Sequence, residues 1–402
     1  MQRERKGQDI ATHRPPERKG NLWIVPSQSG KGKSTVDLSK PSCTCPDFAL
    51  RGLKCKHISA ALYTITPPTE ALKTITPVKK TTYRQDWTAY NVAQTNEKAY
   101  FQALLFDLCQ GIAPPAQHLG RPRLSWQEVA FSAAYRVYTL VSTRRFMADL
   151  AEAQAKGYLS TAPHYNSLLK YSGKADLTSI LRDLIEESSL CLKSVEVDFA
   201  VDASGFSTSR PLNWYNTRYG HEQENHEWMK VHLMCGVKTN IVTSVEITGS
   251  FAHDSPQFSP LVNATARNFR LGDVPADKAY SSKGNLELVT VLGGTPYVPF
   301  KKNTTGKGDG TTLWEKLWCV YRYHREDFLT HYRKRSNAES TMWMIKSKFG
   351  EHIRSKTETA LVNELLCKVL CHNICVVIQS MFELGVEPTL WAETPFAHKV
   401  AA

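Results

Sequence analysis

The chain has 402 residues, of which 42% are hydrophobic and 10% aromatic, and it contains ten cysteines. This length and composition exclude a largely disordered chain and predict a folded protein of two or three domains. No stretch offers the roughly 20 uninterrupted apolar residues of a membrane span, and the charged start MQRERKGQDI has no apolar signal core. We therefore expect a cytoplasmic protein with no membrane partner, whose reduced thiols are free to bind metal.

The formal net charge of +12 is concentrated in two regions. Residues 1–82 hold 15 Lys and Arg against 6 Asp and Glu, and residues 299–356 hold 13 against 6. Two separate basic regions favour a polyanion that contacts the protein in two places, and nucleic acid is the first candidate. A basic surface that only keeps the protein soluble is the alternative.

The first 82 residues divide into three parts by composition. Residues 1–20 are polar and charged, and we expect a disordered basic tail there. Residues 21–63 are rich in Cys, Gly and Lys and predict a small compact module. Residues 64–82 place prolines among threonines, which predicts an extended linker.

Between 83 and 192 the apolar residues recur at roughly helical spacing. Ser125 stands three residues before Glu128, which is the capping-box pattern at the start of a helix. Further helices are predicted over 142–157 and 176–191. The whole region is therefore predicted to be helical.

The periodicity changes at Val195, where alternating apolar residues up to Val201 predict a strand. The later strands are predicted over 228–237, 241–249, 274–276 and 296–300, and the later helices over 256–268, after Ser281 and from 315 onward. Three successive strands, followed by strands that alternate with helices, predict an α/β fold with a mixed sheet.

Two close pairs of soft metal ligands lie in the small module, namely Cys43 with Cys45 and Cys55 with His57. The loop between the pairs lets them converge on one ion. Four such ligands fill the tetrahedral shell of a structural Zn²⁺ and leave no open position for catalysis. Four unrelated residues are the alternative, but residues 1–82 contain no other Cys. We expect one structural Zn²⁺ here.

This module resembles the SWIM zinc finger over residues 21–63. The resemblance is carried by the segment Trp23-Ile24-Val25 and by the runs Cys43-Thr44-Cys45-Pro46-Asp47-Phe48 and Cys55-Lys56-His57-Ile58. It implies a module without catalytic function that binds DNA or protein.

Acidic side chains at the edges of apolar segments are candidates for a second kind of metal site. Asp202 follows the run VEVDFAV and precedes Ala203-Ser204-Gly205, and Asp277 follows Val-Pro-Ala. Mg²⁺ prefers such hard oxygen ligands, and phosphodiester chemistry needs carboxylates from separate elements that converge on one point. Asp198 competes with Asp202, because residues four apart on a strand share a face. We favour Asp202 because it meets the predicted turn, where a ligand can approach.

A third acid, Glu339, shares a helical face with two cations. At about 100° per residue, Arg335, Glu339 and Lys346 fall within about 40° of one another, and Tyr332 widens the arc to about 60°. An acid between two cations is suited to hold a metal and to clamp DNA phosphates. A solvated stripe of salt bridges explains the same spacing equally well.

The spacing of these last four residues resembles the Y-R-E-K motif of DDE transposases in the bacterial insertion-sequence-four and insertion-sequence-five groups. The segments Phe199–Phe206 and Ala276–Tyr280 are similar to the surroundings of the first and second Asp of those enzymes. The resemblance covers residues 84–380. It implies an RNase H-like mixed sheet with flanking helices over 193–380, followed by a tail at 381–402.

The resemblance also implies an enzyme that cleaves DNA at the ends of an insertion sequence and transfers the strands to a target. Asp202, Asp277 and Glu339 would bind two Mg²⁺ or Mn²⁺ ions for this reaction. Only 61 residues separate Asp277 from Glu339, too few for the large β insertion of some group-four members. Excision through a DNA hairpin is therefore not implied.

The same resemblance implies the DNA contacts and partners. Arg335 and Lys346 would hold phosphates near the cut, Tyr332 would contact DNA, and residues 83–192 would help to recognise the inverted repeats. The partner is double-stranded DNA, both transposon end and target, bound by a homodimer in the nucleoid of a prokaryotic cytoplasm. The alternatives are a catalytically inactive or domesticated DNA-binding protein on this scaffold and a simple nuclease of the same fold.

Overall fold

The computed structural model of the protein describes residues 2–27, 32–65, 86–113, 123–208, 228–301, 303–304, 312–391 and 394–395. Most of the linker predicted at 64–82 lies outside these ranges. The described residues form two compact units, one from within 1–83 and 299–331 and the other from within 84–298 and 332–402.

The α-helices of the described ranges are, in chain order, α1 (Gln2–His13), α2 (Pro46–Arg51), α3 (Lys56–Ile65), α4 (Trp87–Gln110), α5 (Trp126–Thr139), α6 (Phe146–Ala155), α7 (Tyr165–Ser172), α8 (Ala175–Leu190), α9 (Ser255–Asn268), α10 (Lys283–Val291), α11 (Thr312–Tyr323), α12 (Arg325–Tyr332), α13 (Ser336–Phe349) and α14 (Glu358–Leu384). The strands are β1 (Glu17–Lys19), β2 (Leu22–Pro26), β3 (Lys33–Asp37), β4 (Ser42–Cys43), β5 (Phe199–Ser207), β6 (Trp228–Gly236), β7 (Val242–Gly249), β8 (Asp273–Pro275), β9 (Thr295–Tyr297), β10 (Thr389–Leu390) and β11 (Thr394–Pro395). Two 3-10 turns cover Lys278–Tyr280 and Arg333–Arg335.

The first unit is built on a four-stranded antiparallel sheet in the order β1-β2-β3-β4. Val25 of β2 and Val36 of β3 are fully buried, and α3 packs on this sheet with Ile58 and Leu62 buried. The segment Trp23-Ile24-Val25 lies in β2.

Residues 2–13 form helix α1, so the prediction of a disordered tail over 1–20 is wrong for this segment. Ile10 is buried, and Gly7 lies so close to α3 that an added Cβ would be 2.5 Å from the Cβ of Ser59. The missing side chain of Gly7 permits this close approach of two helices. A basic segment with so few apolar residues carries almost no signal of such packing.

The segment 299–331 packs in the first unit rather than with the predicted catalytic domain. The Tyr323 hydroxyl donates a hydrogen bond to the backbone carbonyl of Leu38 at 3.4 Å, and the Lys54 Nζ lies 5.8 Å from the centre of the Tyr323 ring. Arg18 pairs with Glu315 at 3.4 Å. The domain predicted as continuous over 193–380 is therefore interrupted by residues that fold with the cysteine-rich module.

The second unit centres on β5, which pairs antiparallel with β6, as β6 does with β7. Strands β8 and β9 pair in parallel, and a parallel bridge between Val201 and Ala276 sets β8 beside β5. The resulting order is β9-β8-β5-β6-β7. This mixed sheet with flanking helices is RNase H-like and confirms the predicted fold class.

Strand β5 begins at Phe199 and continues to Ser207. The strand predicted over 195–201 is therefore shifted, and the turn predicted at 203–205 is wrong. These three residues pair in register with residues 230–232 of β6. Pairing with a neighbouring strand overrides the weak strand preference of a Ser-Gly sequence.

Helix α14 forms the centre of the second unit and packs against α4, α5 and α8. The helices predicted within 83–192 are present, but they share one apolar core with the sheet and α14. By length and composition alone α14 is able to cross a membrane, yet 89% of its apolar window is buried inside the protein. Such burial is typical of the core helix of a soluble domain.

Asn373 ties α14 to the sheet and to α8. Its Oδ1 accepts a hydrogen bond from the Val242 N–H at 2.9 Å, and its Nδ2 donates to the Val242 carbonyl at 2.8 Å. The same Nδ2 lies 3.2 Å from the Ile185 carbonyl and 3.1 Å from the Ser188 Oγ. Asn373 is fully buried, so water cannot replace these bonds.

We expect Asn373→Ala to lower the free energy of unfolding of the second unit by about 2–4 kcal/mol, because it leaves buried backbone groups without partners. Urea unfolding followed by tryptophan fluorescence measures this loss. Gln379→Ala, on the same helix, is the control, because the bond of Gln379 to Glu383 is partly exposed. Its cost is expected to stay within about 0.5 kcal/mol, and equal losses in both variants would contradict the role given to Asn373.

Candidate active site and zinc centre

Asp202 lies in the middle of β5, opposite Leu233 of β6. Its side chain is 19% exposed. The backbone N–H of Ala203 donates to its Oδ1 at 2.9 Å, and Nη1 of Arg335 donates to its Oδ2 at 3.1 Å. The strand and these two donors hold one half-buried carboxylate in a fixed position.

Asp277 follows β8 and precedes the 3-10 turn Lys278–Tyr280, in an extended backbone conformation. A parallel bridge pairs Val201 with Ala276. Asp202 directly follows Val201, and Asp277 directly follows Ala276, so the two acids are next to each other in this pairing. Residues in register on adjacent strands share a face, and the strands lie about 4.8 Å apart. The backbone therefore sets Asp277 beside Asp202 on the same face of the sheet.

Glu339 lies in the first turn of α13, and its side chain is 56% exposed. Nη2 of Arg335 donates to its Oε1 at 2.5 Å. The guanidinium of Arg335 thus joins Glu339 on the helix to Asp202 on the central strand. The α-helix begins at Ser336, so Arg335 reaches both acids from the preceding 3-10 turn.

The charges of the other two acids act on Asp202. Burial raises the pKa of Asp202 above its ordinary value, and the charges of Glu339 and Asp277 raise it further. The Ala203 N–H and the Arg335 charge oppose this rise. Three carboxylates close enough to interact make this region attractive to a cation.

Asp198, the competitor of Asp202, belongs to a different cluster. It accepts hydrogen bonds from Nζ of Lys334 at 2.6 Å and from the backbone N–H of Asp273 at 2.8 Å. Lys334 also pairs with the Asp273 carboxylate at 2.5 Å. Lys334 therefore balances both acids.

The remaining residues of the predicted motif lie around the same part of the sheet. The Arg335 guanidinium is 5.8 Å from the centre of the Tyr332 ring. Nζ of Lys346 is 5.1 Å from the centre of the Phe206 ring, and Phe206 is four residues beyond Asp202 on β5. Burial lowers the pKa of Lys346, while Glu351 opposes this effect.

Lys368 is a neighbour of this site that the sequence analysis missed. It is 2% exposed, and its Nζ donates to the carbonyls of Gly350 at 2.6 Å and His352 at 2.9 Å. The same ammonium lies 5.6 Å from the centre of the Phe206 ring, which Lys346 also approaches. Burial lowers its pKa to about 8. A lone lysine in the apolar run LLCKVLC was the available signal.

The oxygen donors of the three acids suit Mg²⁺ or Mn²⁺, which prefer carboxylate and water ligands. Among the described residues, however, the acids are not gathered within 4.8 Å of one another as a closed ligand set. Arg335 instead provides a positive charge between Asp202 and Glu339. The donor chemistry fits a divalent cation, and the charge of Arg335 competes with such a cation for Asp202 and Glu339.

The four predicted zinc ligands do come together in the first unit. The ligand atoms of Cys43, Cys45, Cys55 and His57 all lie within 4.8 Å of one another, and all four residues are buried. Nδ1 of His57 is 3.9 Å from the Cys43 Sγ. None of the three cysteines forms a disulfide.

The charge state of this cluster also fits a metal. Hydrogen bonds with the Cys43 thiol and with His57 together lower the pKa of Cys55 to about 3, against the effect of burial. Sulfur and imidazole donors in this number match the tetrahedral preference of Zn²⁺. The residues present therefore fit one structural Zn²⁺.

Two family models match parts of the chain. Residues 193–374 match the transposase DDE domain, and residues 32–65 match the SWIM zinc finger. A search of curated proteins gives no match. Residues 193–374 are therefore similar to a transposase DDE domain and residues 32–65 to a SWIM zinc finger, in the regions where the motifs predicted them. The particular insertion-sequence group and its Y-R-E-K motif stay a prediction.

We expect the purified protein to contain one zinc ion per chain and Cys55→Ser to lose it, because the remaining three ligands leave the metal shell open. Metal analysis by inductively coupled plasma mass spectrometry gives the ratio. Cys191→Ser is the matched control, since Cys191 is half-buried and lies outside the ligand set. Zinc retained by Cys55→Ser and lost by Cys191→Ser would contradict the assignment.

Zinc removal should also expose the segment 299–331 to proteases, because this segment packs on the module that the metal holds together. Limited trypsin digestion before and after chelation, with mapping of the cleavage sites by mass spectrometry, measures the change. An unchanged pattern within 299–331 after complete zinc loss would show that the segment folds independently of the metal.

Proposed function

We propose that the protein is a transposase that cleaves DNA at the ends of an insertion sequence and transfers the cut strands to a target. The arrangement of Asp202, Arg335 and Glu339 carries this proposal, since one guanidinium joins carboxylates from the central strand and from α13. Asp277 follows the strand that is bridged to β5. The transposase DDE domain over 193–374 supports this reaction class.

In the proposed mechanism Asp202, Asp277 and Glu339 hold two Mg²⁺ or Mn²⁺ ions. When bound, such ions supply an activated attacking oxygen and stabilise the leaving oxygen of the phosphodiester. Asp202 lies on β5, Asp277 lies between β8 and the 3-10 turn Lys278–Tyr280, and Glu339 lies on α13. Regular elements of the fold therefore set the positions of the three acids.

Arg335 has two successive roles in this mechanism. Without metal it neutralises Asp202 and Glu339, which lowers the cost of placing like charges together. With cations held by the acids, the guanidinium would be free to bind a phosphate oxygen of the DNA, for which its planar fork is suited. Tyr332, whose ring it already approaches, contacts the same DNA.

Lys346 supplies a second phosphate contact. Its ammonium lies over the Phe206 ring, at a distance from Asp202 set by four residues of β5. The strand and the ring restrict the lysine to one side of the acids. We propose that it holds the DNA backbone next to the phosphate that is cut.

The proposed DNA recognition, oligomeric state and location of the protein rest on the family resemblance. The helices within 83–192 recognise the inverted repeats, double-stranded DNA is both end and target, and a homodimer binds two ends in the prokaryotic nucleoid. The insertion-sequence-four and insertion-sequence-five groups are the proposed relatives. The zinc ion keeps a structural role, because protein ligands fill its four positions.

We expect the zinc-loaded protein with Mg²⁺ to cleave DNA that carries the element's ends, and Asp277→Ala to reduce the cleavage rate at least about 10³-fold. The loss follows from the removal of a metal-binding carboxylate, while DNA binding should persist. Gel assays of cleavage and mobility shift measure the two properties separately. Asp176→Ala is the control, because Asp176 is an exposed acid in the first turn of α8.

Unchanged cleavage by Asp277→Ala would overturn the site assignment. DNA binding without cleavage by the unmodified protein, with either Mg²⁺ or Mn²⁺, would instead favour the inactive or domesticated DNA-binding protein.

A metal-rescue experiment tests the direct role of this carboxylate. A thiolate is a poor ligand for the hard Mg²⁺ ion and a better one for softer ions. We therefore expect Asp277→Cys to be inactive with Mg²⁺ and to recover part of its cleavage rate with Mn²⁺. The same low rate with both ions, in a variant that still binds DNA, would argue against metal binding at residue 277.

A further inference from the structure

A cleft of about 330 Å³ lies beside the zinc ligands in the first unit. Polar and charged residues contribute much of its wall, namely Ser27, Lys33, Ser34, Asp47, Lys56 and His57. The cleft is separate from the three acids, which belong to the second unit. Nothing in the proposed catalytic mechanism uses it.

His57 has one ring nitrogen that the zinc site does not explain. Its Nδ1 is the atom directed at the thiols, 3.9 Å from the Cys43 Sγ, and this makes Nδ1 the metal ligand. The Nε2 nitrogen then carries the proton of the neutral imidazole. Although His57 is only 5% exposed, Nε2 has no hydrogen-bond partner among the residues that the structure describes.

An unpaired donor in this position is unusual. A histidine that binds metal through one nitrogen normally donates a hydrogen bond from the other, which orients the ring. His57 is one of the residues that line the cleft. The geometry therefore presents a buried N–H donor to a ligand that carries an acceptor.

The charges around the cleft define that ligand as an anion. Lys33 is exposed at the start of β3, and Lys56 is the first residue of α3, next to His57 in sequence. The one carboxylate of the wall, Asp47, lies 3.6 Å from Nε of Arg51, which offsets its charge. Two ammonium groups, hydroxyls and one imidazole N–H match the oxygens of a phosphate group.

We propose that this cleft binds one backbone phosphate of double-stranded DNA, with His57 Nε2 as the buried donor and Lys33 and Lys56 as the flanking cations. The inference deepens the proposed function and rests on it for the source of the phosphate. It assigns the zinc finger to DNA rather than to a protein partner, and it makes a zinc ligand part of the contact. Because backbone phosphates carry no base identity, the contact fixes position and not sequence.

Two-dimensional NMR of the full-length, zinc-loaded protein with ¹⁵N-labelled histidine tests the donor directly. The Nε2–H signal of His57 should shift when a short DNA duplex or inorganic phosphate is added, without Mg²⁺ and without cleavage. This readout is independent of the acids, so Asp277→Ala should show the same shift. The failure of cleavage and the failure of this contact are therefore distinguishable.

The salt dependence of DNA affinity tests the two lysines. Lys33→Ala and Lys56→Ala should each reduce the slope of log K against log salt by about 0.9, because each removes one phosphate contact. Zinc content should stay unchanged, which separates the effect from misfolding. Lys40→Ala is the matched control, since Lys40 is an exposed lysine of the same module outside the cleft.

Two results would overturn the proposal. One is a Lys33→Ala/Lys56→Ala double variant with full zinc content whose DNA affinity and salt slope equal those of the unmodified protein. The other is a His57 signal that responds to an acidic peptide but to neither DNA nor phosphate, which would assign the cleft to a protein partner.

Discussion

The half-buried positive charge of Arg335 is the constraint on which the candidate active site depends. A strand and a helix can bring Asp202 and Glu339 near each other only if their negative charges are balanced, and Arg335 contacts both. The 3-10 turn that contains Arg335 follows segment 299–331 in the sequence and leads directly into α13. The cation is therefore supplied by the same chain segment that supplies the third acid. A neighbouring cluster has the same arrangement of one cation between two acids, since Lys334 pairs with Asp198 and with Asp273.

Sequence spacing singled out the four zinc ligands, which lie together in the structure, and the three acids, whose role as metal ligands stays a prediction. The four zinc ligands, Asp202 and the helical stripe of Glu339 follow from residue type and periodicity. The turn predicted in the middle of β5 was wrong. Ala203-Ser204-Gly205 has the composition of a turn and becomes a strand only through pairing with β6. The bridging contacts of Arg335 were not predictable either, since its Asp202 partner is 133 residues away in sequence.

The sequence did not predict which segments fold into which of the two units. Tyr323 contacts Leu38 across 285 residues, and no local pattern in 299–331 indicates that partner. Helix α1 was missed for the same reason, because Gly7 and Ile10 are its main packing features. Residues 299–331, which lie between Asp277 and Glu339 in the sequence, thus belong to the zinc-finger unit. Loss of zinc and loss of the acids should therefore be separated experimentally before either is read as a catalytic effect.

The most direct test of the central claim is a crystal structure of the protein with Mn²⁺ and the cleaved end of its element, with the ions located by anomalous scattering. The account predicts Mn²⁺ peaks coordinated by Asp202, Asp277 and Glu339, with Arg335 released from Asp202 and bound to a phosphate. Mn²⁺ at Asp198 and Asp273, or an Arg335 that still bridges Asp202 and Glu339 while DNA is bound, would contradict it.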